Sequence, residues 1–261
     1  MNKYDINNRE ERYICSHLFR LLHENIDKGY DSPLGKLLSY LSSSKYNLNN
    51  VNINFKELQF KNISIYSEVA LIRDTYFSLK PNVKTFMDNL VDFLMEHYKI
   101  NSDCRRYSKL PDELNDSSKT HPEQIKRKSQ EIGICLSKNE QKIYGIIQAL
   151  FRAKPDLLIT IDNFLIVIEA KYTQFFNEVQ FERTKLIARI WAKLFYKELG
   201  FNDFPKPAVY KLGPTQYGAN ISWDNIFEIA NNTYKKDDRS LIAFEKCTDL
   251  IKNTVKYPNF A

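Results

Sequence analysis

Two acidic residues and a lysine lie at the ends of two short apolar runs in the second half of the chain. Asp156 precedes the run Leu157–Ile161, and Glu169 and Lys171 follow the run Phe164–Ile168. Neighbouring carboxylates repel each other unless a cation lies between them, and hard oxygen ligands suit Mg²⁺ or Mn²⁺. An ammonium group beside them can orient a water or offset developing negative charge. If the fold brings them together, these three residues predict metal-assisted chemistry at a phosphate.

The two apolar runs predict a β-hairpin that would bring these residues together. Both runs are rich in β-branched residues, and the turn pair Asp162-Asn163 separates them. Pairing them places Asp156, at the start of one strand, near Glu169 at the end of the other. Because side chains alternate along a strand, Glu169 and Lys171 emerge on one face. Neither run alternates with polar residues, which favours a hairpin buried on both faces.

The pattern resembles the signature of the PD-(D/E)xK nuclease superfamily. Pro155, Asp156, Glu169 and Lys171 carry the resemblance, which covers about residues 154–230. It implies an α/β protein with a restriction-endonuclease-like core, in which a central mixed sheet is flanked by helices. It also implies a Mg²⁺-dependent or Mn²⁺-dependent nuclease, in which the acids bind the metal and the lysine serves the nucleophile in phosphodiester hydrolysis.

The resemblance further implies a ligand set and partners. Asp156, Glu169 and the backbone carbonyl of Ala170 would bind the metal, and DNA would be the substrate. The layout resembles that of a restriction or phage-defence effector, which implies a homodimer or a partner subunit of a defence system. One alternative is a catalytically inactive nuclease-fold protein that binds nucleic acid or serves as a scaffold. Another is an ordinary α/β hairpin whose charges are the solvated end of a strand.

A helix is predicted after the hairpin, over about 177–199, from apolar residues at helical spacing. Arg183 falls on the same stripe, with Gln180 one turn earlier, and both are expected to contact the scissile phosphate or to fix the carboxylates. The alternative for Arg183 is a side chain whose stem packs while its head reaches water. A strand over 208–212 and a helix capped by Ser222 follow.

Related nucleases often take an additional acid from a helix that precedes the sheet, and two residues are candidates. Glu140 shares a helix face with Ile143, and Glu11 shares one with Cys15. Each could instead be an acid that favours the N-terminal end of a helix dipole. The only nearby candidate for a first strand is 131–136. The third acid is therefore left open between Glu140 and Glu11.

The chain is divided by pattern into three parts. Residues 1–100 are predicted to be mainly helical, with helices over about 10–25, 34–41 and 83–98. Residues 101–130 carry two prolines and many charges and are predicted to be an exposed linker or insert. Residues 131–261 are predicted to hold the nuclease-like core.

Composition excludes several classes of protein. With 7 glycines in 261 residues and no GxGxxG or GxxxxGK[ST] motif, a glycine-rich nucleotide-binding loop is not expected. No apolar run approaches the length of a membrane span, and the N-terminus lacks the apolar core of a signal peptide, so a cytoplasmic location away from membranes is expected. The 4 cysteines and 4 histidines are scattered, so no zinc site is expected, and His121 is expected to be solvated. A net charge of +6 is compatible with a polyanionic partner.

Overall fold

The computed structural model describes residues 3–43, 58–79, 82–100, 104–171, 176–195 and 206–256. The chain folds into two compact units. The first unit combines three stretches of chain, Met1–Val69, Pro155–Ala188 and Pro205–Ala261. The second unit consists of Ala70–Lys154 and Arg189–Phe204. The predicted division at residues 100 and 130 differs from this one, because the N-terminal helices belong with the sheet.

The first unit contains a four-stranded mixed sheet and the helices packed with it. The strands are β1 (Ile63–Ser67), β2 (Leu157–Ile161), β3 (Phe164–Ala170) and β4 (Lys206–Leu212), in the spatial order β1-β2-β3-β4. The helices are α1 (Lys3–His23), α2 (Pro33–Ser43), α9 (Trp223–Asn231) and α10 (Arg239–Lys256), with short 3₁₀ helices at Ile26–Asp31 and Thr215–Tyr217. An α/β protein with a mixed sheet is therefore confirmed.

The predicted hairpin forms the centre of the sheet. Strands β2 and β3 are antiparallel neighbours with Ile159 opposite Ile166, and β1 pairs antiparallel with β2. Strand β4 runs parallel to β3, so a crossover connection is needed between them, and helix α8 (Glu178–Phe195) supplies it. The predicted end of this helix, at about residue 199, lies outside the described residues.

The first strand of the sheet is not the one predicted. Glu131 ends a helix and residues 132–136 form no strand, whereas Ile63–Ser67 pairs with Leu157–Ile161. This segment, Ile-Ser-Ile-Tyr-Ser, alternates apolar and polar residues as a half-exposed edge strand does. Its partner lies about ninety residues later in the chain, so no local pattern reveals the pairing. Residues 42–54, whose sequence rich in Ser and Asn predicts a polar loop, fall almost entirely outside the described residues.

The two faces of the sheet have different surroundings. One face contributes Ile159, Ile166, Ile168 and Tyr210 to a continuous apolar core that it shares with residues of α1, α2, α9 and α10. The opposite face buries Leu158, Leu165, Val167 and Val209. It also carries two buried charged residues, Glu169 and Lys211, that lie side by side in the register of β3 and β4. Buried charges need partners, so this face is the candidate location for a functional site of the first unit.

Helix α2 begins against the preceding 3₁₀ helix at a contact that leaves no room for a side chain. A Cβ on Gly35 would lie 2.5 Å from the carbonyl oxygens of Gly29 and Tyr30. We expect Gly35→Ala to lower the free energy of unfolding by about 1–3 kcal/mol, because the backbone must move to accept the methyl group. Urea denaturation measures this change. Gly145→Ala is the matched control, since that Cβ would meet only the flexible end of Lys126. It should be neutral or stabilising, because alanine favours a helix interior.

The second unit is mainly helical. Its helices are α3 (Leu71–Leu79), α4 (Val83–His97), α5 (Asp112–Asn115), α6 (Ile125–Glu131) and α7 (Lys138–Arg152), with 3₁₀ helices at Tyr107–Lys109 and Pro122–Gln124. The exposed linker predicted over 101–130 is thus a set of short helices from residue 107 onward. Tyr107, Leu114 and Ile125 are fully buried there. These residues are spaced too irregularly among polar ones for a sequence pattern to show that they share a core.

His121 is not solvated as predicted. Its ring stacks on Phe77 with a centroid distance of 5.2 Å and meets Tyr76 and Phe151 edge-on. Burial lowers the pKa of the imidazole. His121 is therefore part of an aromatic cluster of the second unit.

Among the described residues, no helix has the length and apolar character needed to cross a membrane.

Candidate functional site

The hairpin brings Asp156, Glu169 and Lys171 together at one end of β2 and β3. Asp156 Oδ2 accepts a hydrogen bond of 2.7 Å from the backbone N–H of Ala170, which lies between the other two residues. Lys171 Nζ lies 3.7 Å from Glu169 Oε1. The three side chains that the sequence singled out therefore form one cluster.

Three elements hold the backbone of this cluster in place. The N–H of Glu68, just after β1, donates to the carbonyl of Asp156 at 3.2 Å. The N–H of Lys171 donates to the carbonyl of Leu212 at the end of β4, at 2.8 Å. Trp223 Nε1 donates to the carbonyl of Lys171 at 2.9 Å, from the first residue of α9. Strands on both sides and a helix thus fix the positions of the acids and the lysine.

Glu11, on helix α1, joins the cluster. Its Oε1 lies 3.1 Å from Lys171 Nζ, and the side chains of Glu11 and Lys171 are only 15% and 13% exposed. Of the two candidates for a third acid, the structure brings this one to Asp156 and Glu169. The sequence could not reveal the contact, because 160 residues separate Glu11 from Lys171.

Glu140, the other candidate, is fully engaged within the second unit. Its carboxylate accepts hydrogen bonds from Arg105 Nη2 at 3.0 Å and from the N–H of Ser137 at 2.7 Å. Ser137 and Glu140 form a capping box at the start of α7. Burial alone would raise the pKa of Glu140, but Arg105 and the backbone donors outweigh it and lower that pKa. Glu140 is therefore a helix cap and ion-pair partner.

Helix α8 orients Glu169 through two side chains one turn apart. Gln180 Nε2 donates to Glu169 Oε1, and Thr184 Oγ1 lies 3.3 Å from Glu169 Oε2. The expectation that Gln180 fixes a carboxylate agrees with this geometry. Thr184 was missed, although its spacing of four from Gln180 places both on one helix face.

Arg183 does not lie on the face of α8 that meets the sheet. It is exposed, and Val179, four residues earlier on the predicted stripe, is 70% exposed. The stripe was misplaced near the helix start because Phe181 and Thr184, not Val179 and Arg183, are the buried residues there. The described contacts give Arg183 no role at the carboxylates.

The electrostatics of the cluster favour a bound cation. Burial, followed by the charges of Glu169 and Glu11, raises the pKa of Asp156 to about 8. Burial also raises the pKa of Glu169, although Lys171 and Thr184 oppose the shift. Burial would lower the pKa of Lys171, but the surrounding carboxylates more than compensate and raise it. Three carboxylates therefore share one ammonium, which leaves the ionised cluster with excess negative charge.

The donor set suits a hard divalent cation in chemistry and in charge. Carboxylate oxygens are the ligands that Mg²⁺ and Mn²⁺ prefer, and the cluster holds three carboxylates to one ammonium. Within the ranges that the structure describes, however, no three His, Cys, Asp or Glu side chains are placed closely enough to hold a metal ion. Cation binding would therefore require the carboxylates to move together.

The sequence also missed a second buried lysine beside the cluster. Lys211, on β4, lies next to Glu169 in the register of the parallel pair and is 7% exposed. A single lysine in a run of apolar strand residues was the available signal.

Comparisons of the chain with protein families, with curated proteins and with solved structures found no match.

Proposed function

We propose that this protein is a metal-dependent nuclease of restriction-endonuclease-like fold that hydrolyses phosphodiester bonds in DNA. The observation that carries the proposal is the convergence of Glu11, Asp156, Glu169 and Lys171 at one end of the central hairpin. A buried cluster of acids around one lysine has no evident use in holding the fold together, because uncompensated buried carboxylates destabilise it.

The order of elements in the first unit supports the same proposal. Helix α1 carries an acid, strands β1, β2 and β3 follow as an antiparallel set, and α8 leads to the parallel strand β4. The PD-(D/E)xK resemblance implies a first strand before the hairpin, then a helix, a strand and a helix after it. In this proposal β1 is that first strand, and residues Ala70–Lys154 of the second unit lie between β1 and β2 in the chain.

In this proposal Asp156, Glu169 and the backbone carbonyl of Ala170 would hold Mg²⁺ or Mn²⁺, with Glu11 as an additional acid. The ion, when bound, would polarise a phosphoryl oxygen and acidify a water. Asp156 would bind such an ion as the carboxylate, and because its pKa is raised to about 8, ion binding near neutral pH would release the proton that this carboxyl otherwise retains.

The other residues of the cluster have separate tasks. Glu11 keeps Lys171 protonated, and the Lys171 ammonium can orient the attacking water or offset the charge that develops on the phosphate. Gln180 and Thr184 hold the Glu169 carboxylate in one orientation. Burial of the cluster limits its access to bulk water, which strengthens each of these interactions.

A non-catalytic function is the second candidate. Lys171 already has carboxylate partners within the protein, and the described acids are not placed as a ready ligand set. Both observations favour a nuclease-fold protein that binds nucleic acid or serves as a scaffold without cutting it. Such a protein would bind nucleic acid in the presence of Mg²⁺ and release no product.

Incubation of the purified protein with plasmid, linear duplex DNA, single-stranded DNA and RNA in Mg²⁺ or Mn²⁺ tests the proposal. We expect the protein to cleave DNA. A chelator should stop this cleavage, and the Asp156→Ala variant should lack it. Mn²⁺ should also raise the melting temperature, because an ion that binds only the folded state stabilises it, by about 2.7 kcal/mol at a hundred times its Kd.

Asp224→Asn is the control for the stabilising effect of the ion. Asp224 is an acid of the same unit, and its side chain is 64% exposed, on α9. The variant should keep both cleavage and stabilisation. Cleavage that persists in chelator, or that survives Asp156→Ala, would rule out this site as its source. Stabilisation without any cleavage would favour the non-catalytic candidate.

A further inference from the structure

Lys211 is a buried charge whose partner lies at the surface. Its side chain is 9% exposed, and its Nζ lies 2.6 Å from Glu178 Oε1. Glu178 is the first residue of helix α8, and its side chain is 70% exposed. A carboxylate so exposed can leave the pair by rotating into water, whereas the ammonium is almost entirely enclosed by protein.

Two aromatic rings surround the Lys211 ammonium. Its Nζ lies 4.5 Å from the ring centroid of Phe181 and 5.3 Å from that of Phe176. The faces of aromatic rings stabilise a cation, so the charge of Lys211 is held in place even when Glu178 is absent. Both rings are buried. The Lys211 ammonium therefore lies against two buried rings and one exposed carboxylate, that of Glu178.

The Lys211–Glu178 pair lies beside the carboxylate cluster. Lys211 and Glu169 are paired in the register of the parallel strands β3 and β4, so their side chains emerge on the same face of the sheet. The first turns of α8 contact both of them, since Glu178 binds Lys211 while Gln180 binds Glu169. An anion held at Lys211 would therefore be a neighbour of any phosphate held at the cluster.

We propose that Lys211 forms an anion subsite for a phosphate of the nucleic-acid backbone, and that Glu178 occupies this subsite until substrate displaces it. The inference rests on the proposed function for the identity of the ligand, a phosphodiester next to the scissile one. The Glu178 carboxylate resembles a phosphate in charge and in its oxygen acceptors, and lysine binds phosphate as a compact positive charge. Substrate binding exchanges one anion for another at Lys211, so the lysine remains paired throughout.

Binding of a short, fluorescently labelled DNA duplex in metal-free buffer tests the subsite without cleavage. Glu178→Gln should bind the duplex about threefold or more tightly than wild type, because the competing carboxylate is gone. Lys211→Gln should weaken binding and reduce the slope of log affinity against log salt by about one, as expected for the loss of one phosphate contact. In the double variant the gain from Glu178→Gln should disappear.

Asp224→Asn is again a matched control, since it removes an acid of similar exposure from the first turn of another helix. Asp224 pairs with Lys252 at 3.5 Å, but that lysine is 61% exposed. An equal gain in Asp224→Asn would mean that any lost negative charge strengthens binding, and would overturn the subsite. A gain that persists in the Lys211 double variant would overturn it as well. The Glu178→Gln and Asp224→Asn comparison does not depend on how well the lysine variants fold.

Inorganic phosphate separates this inference from the proposed nuclease activity. Titration of Glu178→Gln with phosphate, followed by ³¹P NMR, should show binding that Lys211→Gln removes. If the protein cleaves nothing but this binding occurs, the anion subsite stands and the nuclease proposal fails. If the protein cleaves DNA but Glu178→Gln gains affinity for neither the duplex nor phosphate, the subsite fails and the nuclease proposal stands.

Discussion

Alanine at Asp156 or Glu169 is expected to abolish both divalent-cation binding and phosphodiester cleavage, whereas alanine at Lys171 should separate the two. In the proposed site either acid is a ligand that no neighbour replaces. Lys171→Ala instead removes the ammonium 3.1 Å from Glu11 and 3.7 Å from Glu169, so cation binding should persist or tighten. Turnover should still fall by about 10²–10³-fold, as when one charge-stabilising donor is removed. Calorimetric Mn²⁺ titration and a plasmid-nicking assay measure the two effects.

Lys171→Arg tests whether charge alone is sufficient at this position. The planar guanidinium does not reproduce a compact ammonium in a buried cluster, so little activity should return.

Glu11→Gln and Glu140→Gln are the matched pair of variants that tests which residue is the third acid. The first should reduce cation binding and cleavage. The second should lower stability, because it breaks the pair with Arg105, and should leave cleavage by the folded protein unchanged. The reverse outcome would place the third acid at Glu140.

Stability of the metal-free protein is expected to fall as pH rises through neutrality, which is unusual for a carboxylate site. The pKa of Asp156 rises from 3.8 to about 8 on folding, chiefly through burial. Between these values the folded state binds more protons than the unfolded chain, so each increase in pH lowers the free energy of unfolding. The stability that Asp156 contributes by retaining its proton in the folded state is fully present below the pKa of the unfolded chain. It is lost as the pH rises through the folded-state pKa of about 8. Thermal melts between about pH 5.5 and 8.5 measure it.

Asp156→Asn should remove most of this pH dependence and should melt above wild type at the alkaline end. The amide carries no charge, and its oxygen can still accept the hydrogen bond from the N–H of Ala170. Each 1 kcal/mol corresponds to about 2–4 °C for a protein of this size. Mn²⁺ should also flatten the wild-type profile, because the ion stabilises the ionised carboxylates. Wild-type and Asp156→Asn profiles that run parallel would show that Asp156 ionises normally in the folded protein.

The hairpin and its charged ends were predictable because their signals are local. Two runs of five apolar residues around a turn pair specify antiparallel strands, and alternation along β3 places Glu169 and Lys171 on one face. Helix α4 was likewise visible from its apolar stripe, and its observed bounds match the predicted ones closely. Helix α8 was found too, but its buried face near Glu178 was misjudged, because Val179 and Phe181 are both apolar and only packing chooses between them.

By itself the sequence determined which residues are candidates for chemistry at the end of the hairpin, since their types and their spacing along two strands are local properties. Only the tertiary structure decided what surrounds them. Glu11 reaches Lys171 across 160 positions, β1 pairs with β2 across residues Ala70–Lys154 of the second unit, and Lys211 lies beside Glu169 through a parallel pairing. Such contacts form because buried strands and helices must satisfy their hydrogen bonds and cover their apolar faces together. No periodicity within one segment encodes the partner that a distant segment will provide.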